Sequence, residues 1–260
     1  LTEMSPATAA VSAALENSVA YGVADTVSRL TSPYAFGPFY TNPLERIAAE
    51  FDYGTVCALD GPRLFVGATN VRTGKIRVFT GHDISTEALL ASACLPTLFQ
   101  AVEIEDPTTG RLEAYWDGGY SGNPALFPLF EPDLPQDVMI VNINPIVRDD
   151  LPRSPNQIQN RINEISFNAS LLRELRAIAF VKRLLGQGAL SPGTMKDVLV
   201  HMISDDALMN DLSVATKIMP NPVLLARLKD AGRAAADAFL TAHKDDLNRR
   251  GTVDLAHMLA

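Results

Sequence analysis

The stretch Asp137–Pro145, DVMIVNINP, is a nearly continuous apolar run, and a strand of that kind is expected where a sheet is covered on both faces. A chain that must cover such a strand needs layers on either side of it. Two further strand pairs are expected ahead of it. RLFVGATNV and IRVFT are β-branched runs flanking RTGK, and QAVEI and RLEAYW flank EDPTTG, so each set reads as two strands joined by a tight turn. Between them Ser85 is placed to cap TEALLASACL, with Glu87 complementing the helix dipole and Pro96 stopping the helix.

Helical periodicity occupies much of the rest. An Ala-rich helix is expected over 7–30 despite Gly22, and Asn42 followed by Pro43 signals a short helix in LERIAAEF. From about Ser154 onward most of the chain reads as helix, with a loop near GQGALSPGT. Leu171, Leu175, Ile178, Val181 and Leu185 share one helical face, while Arg173, Arg176 and Arg183 share another. A basic amphipathic helix can sit on anionic lipid, although packing on a core with a solvated basic stripe is the commoner outcome. The expectation is an α/β layered core carrying a helical C-terminal part. It is organised as a single domain over 1–260, with the core in 1–150 and the helical region in 151–260.

Composition excludes several classes of function. The 260 residues are 47% hydrophobic and 20% charged, with a net charge of −8. That acidity argues against a nucleic-acid partner, and no apolar run approaches the ~20 residues that cross a bilayer. Cys57 and Cys94 form no CxxC pair, which mildly favours a reducing compartment. His82, His201, His243 and His257 are scattered without HExxH spacing, which speaks against a metal site. GATNVRTGK at 67–75 misses the phosphate-loop pattern, with Thr69 and Ile76 where Gly and Ser or Thr would be required. Neither GxGxxG nor GxSxG occurs. The chain opens on Leu1, and a segment preceding it is expected; no secretory signal is visible.

The richest neighbourhood for chemistry is WDGGYSGNP at 116–124. An isolated Asp-Gly-Gly is ordinarily a turn with a solvated carboxylate. Here it follows a small-residue helix ending in Pro (Ala91, Ser92, Ala93, Cys94, Leu95, Pro96) and precedes the strand DVMIVNINP. In that order these blocks resemble the C-terminal part of the patatin-like phospholipase core. SPYAFGPFYTNPL, LFVGATNVRTGKIRVF, NEISFNASLLRELRAI and GTVDL are also similar to bacterial members, so the resemblance extends over nearly the whole chain.

The resemblance implies a three-layer α/β/α core with a mainly parallel sheet. It also implies hydrolysis of a fatty acyl ester or phospholipid by a Ser-Asp dyad, with Asp117 as general base. A carboxylate can activate a serine hydroxyl within hydrogen-bond reach, and partial burial beside Tyr115 and Trp116 would raise its pKa and basicity. Gly118 and Gly119 would remove side chains where the backbone turns away from the carboxylate. The family's GxSxG nucleophile and its glycine-rich oxyanion loop with a nearby Arg are missing from these residues, so the dyad would be completed by an N-terminal segment. Some relatives use an activating partner protein. The implied location is cytoplasmic or at a membrane periphery. The alternative is a non-catalytic lipid-binding or protein-interaction module on the same scaffold.

Overall fold

The structure is a computed structural model that describes residues 32–56, 61–107, 109–191, 193–210, 212 and 222–260. The helix expected over 7–30 and Cys57 lie outside the described residues. Two compact units are present, one ending at Ala125 and the other beginning at Leu126. Among the described residues the helices are α1 (Glu45–Ala48), α2 (Tyr53–Val56) and α3 (Thr86–Ser92) in the first, and α4 (Pro155–Gly186), α5 (Asp206–Asn210), α6 (Pro222–His243) and α7 (Leu255–Met258) in the second.

In the first unit, both expected hairpins form. Strands β1 (Phe65–Asn70) and β2 (Ile76–Thr80) pair antiparallel, as do β3 (Val102–Asp106) and β4 (Arg111–Asp117). Gly74 and Gly110 supply the positive φ that their turns require, at 67° and 63°. β1 then pairs antiparallel with β4, giving the order β2-β1-β4-β3. Ser85 caps α3 as its position suggests, its hydroxyl accepting the Ala88 N–H at 3.3 Å. α3 lays Ala88 and Ala91 over the sheet, where Val66, Ala68, Phe79 and Tyr115 form the core. Phe79 and Tyr115 meet edge to face, with centroids 5.8 Å apart.

The second unit holds a two-stranded parallel sheet of β5 (Asp137–Asn142) and β6 (Leu199–Ser204). Parallel strands need a long crossover, and the 32-residue α4 lies within this one. Ser154 and Gln157 start α4 with a reciprocal capping box. Leu171, Leu175 and Ile178 then pack on Val138, Ile140 and Val200.

The three-layer α/β/α core with a mainly parallel sheet is not what forms. The larger sheet is wholly antiparallel, because short turns within each hairpin return the chain beside itself, and the only parallel pair among the described residues is β5 with β6. Nor is β5 covered on both faces. Val138 and Ile140 are buried, but Met139 and Val141 on the opposite face are 38% and 68% exposed. β6 is an addition to the sequence reading, which assigned helix and loop to that region. No helix among the described residues is long and apolar enough to cross a membrane.

His201 is a fully buried clamp within the second unit. Its Nε2 lies 2.7 Å from Asp137 Oδ1 and its Nδ1 lies 3.1 Å from the Thr252 hydroxyl. A carboxylate only accepts, so Nε2 carries the proton. Burial by itself would raise the Asp137 carboxyl, but the Asn248 N–H and His201 together hold it below the ordinary carboxylate range. A carboxyl whose pKa is lower when folded than when unfolded adds stability above its unfolded value of about 3.9, and that stability is lost as pH falls through the folded value. Asp137→Asn should therefore be less stable than the wild type at neutral pH, with the difference shrinking below about pH 4. Urea midpoints measured across that range check this, and a difference independent of pH would contradict it.

Candidate functional site

Asp117 is the last residue of β4, opposite Ala68 of β1. Its N–H donates to the Cys94 carbonyl at 2.8 Å, joining the strand end to the chain just beyond α3. Its side chain caps the 3₁₀ turn Gly118–Tyr120, with Oδ1 accepting the Gly119 N–H at 2.7 Å. The other oxygen has no hydrogen-bond partner among the described residues.

A second layer of contacts fixes the backbone of that turn. The Thr69 hydroxyl donates to the Asp117 carbonyl at 2.8 Å and lies 2.7 Å from the Ser121 hydroxyl. Thr69 has one proton to give, so Ser121 donates to Thr69.

Gly118 is required for a reason different from the one its sequence position suggested. A Cβ there would lie 2.3 Å from the Gly67 carbonyl oxygen and 2.7 Å from its carbon. The constraint is therefore the close approach of the β1 backbone. Gly119 contributes its N–H to the carboxylate, which moderates the charge that Asp117 must hold.

Asp117 is half-buried and lines a cavity of about 260 Å³. Polar atoms make up most of that cavity's exposed lining, with Ser92 and Asn123 beside Asp117, and Phe65, Val78, Pro124 and Ala125 add apolar groups. Burial raises the Asp117 carboxyl above the ordinary range, and the Gly119 N–H opposes this only in part. The nearby Cys94 thiol is buried and donates to the Gln100 carbonyl at 3.2 Å. Burial, and then the Asp117 charge, push that thiol up to about 11, so it is not an activated nucleophile.

The geometry thus provides a carboxylate more basic than usual, with one oxygen engaged and one available, in a small cavity of mixed, mainly polar lining. It does not bring a serine hydroxyl into a hydrogen bond with Asp117 among the described residues. Ser92 shares the cavity, a placement that sequence reasoning did not foresee because the two residues are distant along the chain and meet only through α3 packing. No group of three or more metal-ligating side chains is assembled among the described residues. Compared with models of protein families the chain matches none, and no curated protein matches it either.

Proposed function

We propose that the Asp117 cavity is the general-base half of an acyl-ester hydrolase site of patatin-like kind. Its serine nucleophile would come from a GxSxG segment that these 260 residues do not contain. The substrate class is a fatty acyl ester, with membrane glycerolipids or phospholipids as the natural members. The observation that carries the reading is the half-buried, basicity-enhanced carboxylate at a strand end, lining a small cavity with one oxygen not engaged in a hydrogen bond among the described residues. Asp117 would take the serine proton as the hydroxyl attacks the ester carbonyl, and return it to the leaving alkoxide. The reading rests on the site and not on the fold, since a scaffold does not dictate its chemistry.

The test is hydrolysis of a short-chain p-nitrophenyl ester by the full-length protein and its Asp117→Asn variant. The variant should lose at least about a hundredfold in rate, the lower end of what a positioned base supplies. Its thermal midpoint should not fall, because burial disfavours the native carboxylate and Asn can still accept the Gly119 N–H. In the wild type, kcat/KM should rise with pH through a value above that of an ordinary carboxylate, as the base loses its proton. Full activity in Asp117→Asn would overturn the assignment.

A further inference from the structure

The outward face of α4 carries a pattern that core packing does not use. At 3.6 residues per turn, Ile158, Ile162, Ile165, Arg173, Arg176 and Phe180 lie within roughly 60° of one line along the helix. Arg183 falls on the same line, one turn beyond Phe180. The buried residues Leu171, Leu175 and Ile178 point the other way, into the core. On the outward face Ile158, Ile162, Ile165 and Phe180 remain 43%, 54%, 55% and 51% exposed. The stripe is thus apolar at its start, and basic with one aromatic at its end.

Of the arginines on this face, Arg173 acts on the Glu174 carboxylate and helps to oppose the effect of its burial. α4 has two carboxylates, and neither belongs to the stripe. Glu164 is buried against Arg148 and Arg161, while Glu174 accepts the backbone N–H groups of Leu126 and Phe127. Arg173 and Arg176 are exposed and make no ion pair among the described residues, and the Arg183 guanidinium lies 5.3 Å from the Phe180 ring centroid. In a chain with a net charge of −8, this is a local reversal of sign. A groove of about 320 Å³ lies on the same face, lined by Ile146, Ile165, Ala169 and Leu172 together with Arg173 and Arg176.

We propose that this face of α4 docks the protein on an anionic lipid bilayer. Exposed isoleucines and a phenylalanine suit the acyl boundary, and exposed guanidinium groups suit lipid phosphates, which they can grip through two hydrogen bonds. A second copy of the chain is the poorer occupant, because the same face on a two-fold partner has no carboxylate to meet these arginines. A polyphosphate backbone would leave the isoleucines without a role. Asp149 and Asp150 immediately precede the exposed Leu151 and keep that loop away from an anionic surface, so the contact belongs to the helix itself. The inference stands on α4 alone and does not need Asp117 to be catalytic.

The experiment is flotation of the full-length protein with phosphatidylcholine vesicles made with and without phosphatidylglycerol. Binding should require the anionic lipid and weaken as salt is added. Arg173→Gln with Arg176→Gln should reduce partitioning on the order of 30-fold, from the usual contribution of a basic residue near an anionic leaflet. Hydrolysis of a soluble short-chain ester should stay unchanged in that variant, so the binding result is independent of the catalytic one. Ile162→Ser with Ile165→Ser should weaken binding without lowering the thermal midpoint. Failure to bind anionic vesicles, or equal binding to both compositions, overturns the proposal. So does a fall in thermal midpoint or a loss of self-association in the isoleucine variant, since either means that protein covers this face.

Discussion

Glu164→Gln is expected to destabilise the second unit by about 3–5 kcal/mol, the usual cost of breaking a buried ion pair from one side. Glu164 is 7% exposed and takes two hydrogen bonds from Arg148, at 2.7 Å to Oε2 and 2.6 Å to Oε1. Arg161 approaches the same carboxylate at 3.4 Å. The two arginines also hold backbone oxygens, Arg148 that of Asn210 and Arg161 that of Ile146. One carboxylate therefore secures the segment after β5 and the end of α5 to α4. Glutamine has nearly the same shape but leaves guanidinium charge in a poorly solvated place. Replacing Arg148 and Glu164 together with Met and Leu should cost less than the single change, because only Arg161, which still holds the Ile146 carbonyl, is then left without its carboxylate. Urea denaturation of the two singles and the double decides the matter, and a double variant as weak as the sum of its parts would refute the explanation.

Gly118→Ala is the second large effect. The added methyl meets backbone, not a movable side chain, with Gly67 O only 2.3 Å from its position. Overpacking costs typically 1–3 kcal/mol, and here the strand has little room to yield, so about 3 kcal/mol or more is expected. Asp117 should move with the turn that it caps, so the hydrolysis proposed for this site should fall together with stability. Gly232→Ala in α6 is the matched control. Nothing lies within 4 Å of its new methyl, and a helical Gly to Ala change should stabilise by about 0.5–1 kcal/mol. Thermal melts of both variants give the comparison, and equal effects would show that the Gly67 contact is not the cause.

The parts of this fold legible in the sequence were those fixed by neighbouring residues. RTGK and EDPTTG announced their hairpins through turn glycines, and Ser85 and Ser154 lie where helices begin. The placement of Asp117 at a strand end followed from the alternation in RLEAYW. What distant parts of the chain decide stayed hidden. The apolar run of β5 matched a strand covered on both faces, yet Met139 and Val141 on one face are exposed, since periodicity alone does not reveal how many layers a sheet receives. β6 was absorbed into a helical reading, although Val198 to Ile203 is a compact apolar run following the turn-like SPGT and could have been recognised. The pairing of Gly118 with Gly67, and of Arg148 with Glu164, joins residues whose local patterns carry no trace of each other. The parallel sheet was inherited from a family resemblance, while the hairpins, read from the residues themselves, already pointed to antiparallel pairing.

The buried imidazole of His201 also sets an order of events. It joins Asp137 to Thr252, positions that meet only after most of the second unit has been synthesised. Leu255 of α7 completes the same core. Until the chain through Leu255 has left the ribosome, β5 and β6 can associate only around a polar ring lacking its hydroxyl partner and a core lacking its final side. This unit must then mature late, through contacts of long sequence separation, which is the slow and exposure-prone way for a domain to fold.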